Sequence, residues 1–493
     1  PILADPGRTG YTMTSEQTWR RTPGLRESHS WREPALFKDD HSKYLVAVIG
    51  AGPAGLFAAR QLASAGAHVV LFNRDIKPGG LAEYGIYPSK IKMKEGLRKQ
   101  FHQILESPQI EYLGNIKVGE RGDLTLADLR ALGFQAILVT VGAQGTKWLG
   151  LPGEKASGVY HAKDLVYHYN KLPPFSQQQF SIGRRVALIG VGNVMIDVAH
   201  WLIRELKVDE VIAVARRGPA EVKFTKKEME IVASNLDLAA LDREIDRVAP
   251  VMKAAGQNVN AARAFILSAL PKAEPPVSQT RFRFEFLASP SRILSGEDGR
   301  VHGLEVEDTT LAATGDSREP EARRLGTKRI LDVDTVIFCI GDRVDETFGL
   351  PVRKNEFVKH AGPRFPVNGL SFEAYNPDLA RPIDRVFVAG WSREASSGLV
   401  GVARKDGELG AQAVLRYLET LPPLKNPNQV LSDLERRLSI LTKPVITKKE
   451  LAQLEDAERS QAQRSALVEF KYASNEEMLA AIGLAERTDA ESR

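Results

Sequence analysis

One cysteine, Cys339, occurs in 493 residues. A single thiol excludes an internal disulfide, a C-x-x-C redox centre and an iron–sulfur cluster ligated by the chain's own cysteines. Cys339 lies in the apolar run Thr335–Ile340 and reads as a small buried hydrophobe. Any electron transfer therefore needs a bound organic cofactor and an outside partner. Long apolar runs are also missing, and none reaches bilayer-spanning length. The first forty residues lack the apolar segment of a secretory signal, and Glu16, Glu27, Glu33, Asp39 and Asp40 among their arginines argue against a mitochondrial transit peptide. The expectation is a cytoplasmic protein with no membrane span. Dense Lys/Arg clusters interleaved with aromatics are absent as well, which argues against a nucleic-acid partner. The net charge of +5 is a mild excess that suits an acidic partner.

At 43% hydrophobic and 26% charged residues, the composition is that of a globular chain, long enough for two or three domains. The informative stretch is Tyr44 to Asn73. An apolar run, Leu45–Ile49, has the length and β-branching of a buried parallel strand. Gly50-Ala51-Gly52-Pro53-Ala54-Gly55 follows and fits G-x-G-x-x-G. A helical pattern with Leu56, Ala59, Leu62 and Ala63 on one face comes next, then a second apolar run, Val69–Phe72. Such a β-α-β unit brings a dinucleotide pyrophosphate to a helix N-terminus. The competing reading, a Gly-rich turn in an ordinary α/β domain, is disfavoured by strand before, helix after and strand again. The acid expected at the end of the second strand is missing: Asn73 stands there, with Asp75 two residues on. Asn73 can hydrogen-bond a ribose hydroxyl but offers no carboxylate. Past it, Lys77-Pro78-Gly79-Gly80-Leu81 reads as a loop over a ligand, with Gly80 and Leu81 as contacts, or else as a plain surface turn.

A second unit begins at Arg184–Ile189 and leads into Gly190-Val191-Gly192-Asn193-Val194-Met195. Met195 at the third glycine position implies a looser helix–strand contact. The strand Val211–Ala215 then ends in Arg216-Arg217-Gly218. Two arginines replace the acid, and a guanidinium can pair bidentately with a 2′-phosphate, so this unit reads as NADP(H)-binding rather than NAD(H)-binding. The alternative for Arg216 and Arg217 is a solvated pair at a strand end. Residues 151–180 read as a connector, and further strands are expected at Arg281–Leu287, Val301–Val306, Asp332–Ile340 and Arg385–Ala389. An apolar-faced helix is expected over Ala403–Leu418, and a polar helical tail from Asn426. Two β-α-β units in one chain suggest two dinucleotides, FAD held by the first and NADP(H) by the second, with the nicotinamide brought against the flavin.

The chain resembles the adrenodoxin reductase family of ferredoxin–NADP⁺ reductases from about Tyr44 to about Gly483. The resemblance is carried by Gly190–Val194 with Asp197-Val198-Ala199, by Arg216-Arg217-Gly218-Pro219 with Phe224-Thr225-Lys226-Lys227-Glu228, and by Phe286–Pro290 and Gly303–Glu307. It continues in Phe387-Val388-Ala389-Gly390-Trp391, Pro444–Thr447 and Glu476–Leu479. It implies an α/β fold of two Rossmann-like dinucleotide-binding domains, the FAD domain discontinuous and interrupted by the NADP domain. The boundaries expected are an N-terminal extension over 1–43, FAD domain over 44–144 and 345–493 with a helical tail, and NADP domain over 145–344. The resemblance also implies roles. Gly50, Ala51, Gly52, Pro53, Ala54 and Gly55 would hold the FAD pyrophosphate. Gly190, Gly192, Asn193 and Val194 would meet that of NADP, with Arg216 and Arg217 at the 2′-phosphate and Glu228 near the nicotinamide. Trp391 and Gly398, followed by Leu399 and Val400, would lie where flavin and nicotinamide meet; without the family match, Trp391 alone would read as core.

The implied function is an FAD-dependent oxidoreductase passing electrons between NADPH and an acidic ferredoxin-type iron–sulfur protein, with no metal site of its own. Lys272, Arg281 and Arg283 are candidates for its docking face. Two departures from the family stand out. After Pro88 the family often has Asp-His, where this chain has Ser89 and Lys90, and this segment also resembles the glutamate synthase small subunit. Before Gly398 stands Ala395-Ser396-Ser397 in place of Gly-Pro-Thr, implying a differently shaped loop. An NADPH-oxidising subunit of a larger complex, or a flavin-bearing assembly or redox-sensor module, are the alternative functions.

Overall fold

The computed structural model describes Phe37 and residues 42–312, 320–395 and 398–484. Nearly all of the extension expected over 1–43 lies outside the described residues, as do Ser396 and Ser397.

Two sheets carry the chain. The first has the strand order Glu373–Asn376, Arg381–Val388, Ala136–Val139, Tyr44–Ile49, Ala67–Phe72, Ile110–Leu113. Its five strands from Arg381–Val388 to Ile110–Leu113 are parallel, and Glu373–Asn376 closes one edge antiparallel. The central strands are fully buried apolar runs, as a parallel sheet covered on both faces requires. The helices Pro53–Ser64 and Val400–Leu418 share a core with one face through Leu56, Ala59, Leu62, Ala411 and Val414. This sheet is thus built from both ends of the chain.

The second sheet is all parallel, in the order Val159–His161, Thr335–Phe338, Arg185–Ile189, Glu210–Val214, Arg281–Glu285. Against it lies an antiparallel sheet of Ala288–Ser295, Val301–Ala312 and Glu321–Leu331. The chain leaves the first sheet through Gly145–Thr146 and returns through Asp342–Arg343, and these two crossings pair with each other.

The connector expected over 151–180 is corrected here: it contributes the edge strand Val159–His161 and the helix Ala162–Tyr169. A three-residue strand gives no periodic signal, and its pairing with Thr335–Phe338 spans about 176 residues of chain (from 159 to 335). The strand expected over Val301–Val306 runs on to Ala312, paired with Glu321–Leu331. Met195 is fully buried in the second core and fills the space a third glycine would leave. Cys339 follows the strand Thr335–Phe338, half-buried against the same core, and burial pushes its thiol pKa up. The polar tail forms three helices, Pro427–Ser439, Lys448–Arg464 and Asn475–Ala481.

Candidate functional site

The first glycine turn sits at the carboxyl end of Tyr44–Ile49, where open parallel sheets bind ligands. Gly50 has φ +103°, and a Cβ there would lie 2.7 Å from the Thr140 carbonyl. A Cβ on Gly55 would lie 1.9 Å from the Gly50 oxygen, so the helix must start this close to the strand. Gly52 is different: a Cβ there would meet nothing within 4 Å. The turn therefore presents open space at the N-terminus of Pro53–Ser64, with first-turn amides that have no intrahelical acceptor. That is a fit for a pyrophosphate. The loop expected to cover a ligand folds onto this turn. The Gly79 amide donates to the Ala51 carbonyl at 2.7 Å. Gly80, with φ +50°, would place a Cβ 3.2 Å from Gly52 Cα, and Leu81 begins the next helical turn, Leu81–Tyr84.

Asn73 is buried at the strand end and holds this assembly together. Its Oδ1 accepts from the Ala51 amide at 3.0 Å, and its Nδ2 donates to the carbonyls of Asp75 at 2.8 Å and Lys77 at 2.9 Å. The amide donors are committed to the loop rather than offered to a ribose. The same loop is tied to the C-terminal tail by buried charges: Lys77 pairs with Glu458, Arg98 pairs with Glu83 and Glu469, and Lys471 lies 2.7 Å from Glu83. Burial pushes the Glu83 carboxyl up, but Lys471, Lys77 and Arg98 outweigh it and hold the group well below the usual carboxylate range.

The second glycine turn repeats the design. Gly190, φ +116°, would set a Cβ 2.5 Å from the Cys339 carbonyl, while a Cβ on Gly192 would meet nothing within 4 Å. Asn193 opens the helix Asn193–Trp201, and its Oδ1 accepts from the Thr225 amide at 2.9 Å. Val194 is exposed at the turn. Arg216 is exposed and Arg217 half-buried, past the end of Glu210–Val214. Their backbone is fixed by the Leu287 amide on the Arg217 carbonyl and the Thr309 hydroxyl on the Arg216 carbonyl. Two cationic side chains thus stand at a braced strand end.

Glu228 lies on the short helix Lys226–Met229, whose cap is the Thr225 hydroxyl. Its carboxylate accepts from Lys90 Nζ at 2.5 Å, and the same ammonium lies 3.1 Å from Asp197. Lys90, noted from sequence only as a departure from the family's Asp-His, is brought to Glu228 and Asp197 by the fold, across 138 and 107 positions of chain.

Trp391 is half-buried in the helical turn Gly390–Ser392. Beyond the two residues outside the described set, Gly398 has φ +70°, Leu399 is 65% exposed at the start of Val400–Leu418, and Val400 is half-buried. An exposed leucine at a helix start offers apolar surface of the kind that flat aromatic rings cover. Residues the sequence reading missed brace this turn. The Gly390 amide donates to Asp406 at 2.6 Å, Arg393 forks onto Asp406, and the Ser392 hydroxyl accepts from the Gly142 amide at 2.9 Å. The only available signal was an aspartate, Asp406, on the apolar face of its helix. Of the docking candidates, Arg281 pairs with Asp237 but stays largely exposed, Arg283 pairs with Glu210 and Glu285, and Lys272 is exposed.

Residues 44–237 match the family model described as pyridine nucleotide-disulphide oxidoreductase. NADPH-ferredoxin reductase FprA of Mycobacterium tuberculosis is 28% identical over 413 residues, covering 76% of this chain and 84% of the relative. Mitochondrial NADPH:adrenodoxin oxidoreductase of Arabidopsis thaliana is 27% identical over 387 residues, covering 72% and 78%. The solved structure of Mycobacterium tuberculosis FprA in complex with NADPH superposes with a TM-score of 0.72 at 26% identity, over 90% of this chain and 99% of that one. The resemblance to adrenodoxin reductase and the α/β fold with two dinucleotide units, both expected from sequence, stand.

Proposed function

We propose that this homologue of FprA and the adrenodoxin reductases is an FAD-containing NADPH–ferredoxin oxidoreductase. The observation that carries the reading is the pair of open glycine cradles, at Gly52 and Gly192, at the strand ends of two separate parallel sheets within one chain homologous to NADPH-dependent reductases. Bound flavin supplies the exchange between two-electron hydride chemistry and one-electron delivery. The chain's own residues bind and orient. Gly50–Gly55 and the Gly80-Leu81 loop hold the flavin nucleotide, with Asn73 fixing the loop. Gly190, Gly192, Asn193 and Val194 hold the NADP pyrophosphate, and Arg216 and Arg217 clasp its 2′-phosphate. Trp391, Gly398, Leu399 and Val400 shape and dry the place where the two rings meet, with Glu228 at its edge; positioning is the largest contribution such a site makes. The proposed division into 44–144, 145–344 and 345–493 is supported by the pairing of the two crossings, Gly145–Thr146 and Asp342–Arg343.

The partner proposed is an acidic iron–sulfur protein of ferredoxin type, in keeping with the net charge of +5. Among the described residues no helix is long and apolar enough to cross a membrane; the compartment proposed is the cytoplasm. The test is an anaerobic assay of purified protein with NADPH and a plant-type ferredoxin, read at the ferredoxin's visible absorbance. Catalytic bleaching that weakens with added salt is the expected result. Flavin reduction without transfer to any ferredoxin would overturn the partner.

A further inference from the structure

The loop at the first glycine turn is tied to a segment from the far end of the chain. Lys471 lies between the helices Lys448–Arg464 and Asn475–Ala481, 388 positions after Glu83. Its ammonium stands 2.7 Å from the Glu83 carboxylate, donates to the Glu83 carbonyl at 3.0 Å and lies 4.8 Å from the centre of the Tyr84 ring. The two charged side chains are only 6% and 4% exposed. Three contacts thus converge on the last two residues of the helical turn Leu81–Tyr84. The start of that turn rests on the open cradle. The Glu83 and Tyr84 amides donate to the Gly80 carbonyl at 3.1 and 2.8 Å, and Gly80 packs against Gly52. The segment that carries Lys471 is anchored on both sides. Glu469 pairs with Arg98 on the helix Ile91–Leu105, and the Ser176 hydroxyl donates to the Ala473 carbonyl.

Resting on the functional reading above, we propose that Lys471 is a positioning residue for the flavin nucleotide. It fixes the turn Leu81–Tyr84, so that Gly80 and Leu81 stand at the Gly52 cradle before the nucleotide arrives, and it thereby sets how tightly flavin is held. A four-residue helical turn cannot hold itself, because it fixes more dihedral angles than its few hydrogen bonds repay. The two glycines in front of it, with φ +112° and +50°, add conformational freedom to the unliganded loop. Without an outside tie the ligand must order the loop, and the cost of that ordering weakens binding. Neutralising Lys471 does not orphan the Glu83 carboxylate, which keeps the fork of Arg98 at 2.7 and 2.5 Å. What is lost is the tie to the Glu83 carbonyl and to the Tyr84 ring.

The test uses the full chain loaded with FAD, as wild type and as Lys471→Met, which keeps the apolar stem and removes the charge. FAD release after dilution is followed by the rise in flavin fluorescence. The expected result is release about tenfold faster or more in Lys471→Met, with the KM for NADPH unchanged when free FAD is kept in excess. An unchanged release rate would overturn the role of Lys471 and leave the functional reading intact. A KM for NADPH that rises as much as the release rate would also overturn it, since the damage would then be general. Should Lys471→Met fail to fold, Ser176→Ala loosens the same segment and should speed release about threefold; an unchanged rate there overturns the role equally. Hydrogen exchange, which needs no nucleotide, decides the case in which wild type holds no flavin and the functional reading fails. Amides of residues 79–85 should exchange faster in Lys471→Met than in wild type, and equal exchange would overturn the tie by itself.

Discussion

Arg393 grips Asp406 through Nε at 3.0 Å and Nη2 at 2.5 Å, and the same carboxylate takes the Gly390 amide at 2.6 Å. Both side chains are nearly enclosed, and the guanidinium lies 4.8 Å from the centre of the Phe372 ring. The backbone on either side of Trp391 is therefore fixed to the helix Val400–Leu418. Replacing Asp406 by Ala removes the acceptor of the Gly390 amide and leaves the buried Arg393 guanidinium with the exposed Glu394 carboxylate, 3.2 Å away, as its remaining ion-pair partner. The expected loss is about 3 kcal/mol of unfolding free energy in urea, whereas Glu394→Ala, at a side chain 55% exposed, should change little.

The two glycines of the first turn should separate folding from cofactor binding. Gly52→Val places a side chain in open space, so the protein should fold normally but purify without yellow colour. Gly55→Val would drive its Cβ into the Gly50 carbonyl and should cost folding itself. Flavin absorbance and circular dichroism of the two variants check both halves.

Arg216→Ala and Arg217→Ala should raise the KM for NADPH by roughly 10- to 100-fold while leaving NADH turnover nearly unchanged, the loss expected for charged hydrogen bonds to a phosphate. Steady-state kinetics with both nucleotides reads this directly. Equal losses with NADH would mean that the arginines support the fold rather than the 2′-phosphate.

Asp197 is raised to about 6, first by burial and then by the neighbouring Glu228 carboxylate, with Lys90 pulling the other way. A carboxyl raised on folding contributes stability that is fully present below its unfolded value near 4 and is lost as pH rises through about 6. Asp197→Asn lacks that dependence. Relative to wild type, the variant should therefore gain about 2 kcal/mol between pH 4 and pH 7, read by urea unfolding at each pH.

What could be read from sequence was what is local. Gly50–Gly55 and Gly190–Val194 each sit within a few residues of the strand and helix that give them meaning, and Arg216-Arg217 follow directly from the strand before them. Asn73 was legible as an oddity, but its task was not, because its partners are backbone atoms of a loop whose path the sequence does not state. The residues that brace the site are joined across the chain: Lys90 to Glu228 over 138 positions, Gly142 to Ser392 over 250, Lys77 to Glu458 over 381. A lysine or an aspartate on a helix reads as a solvated charge until the fold supplies its partner. Val159–His161 escaped for the same reason, since only its parallel neighbour makes it a strand.

The proposed function requires one chain to seat flavin and NADPH in mutual reach. Its most direct test is anaerobic mixing of the purified protein with NADPH or NADH, followed through the flavin absorbance. A yellow protein that NADPH bleaches quickly and NADH slowly is the expected result. A colourless protein would contradict it outright, and a flavin that neither nucleotide reduces would contradict it and bring forward the alternative of a flavin-bearing assembly module.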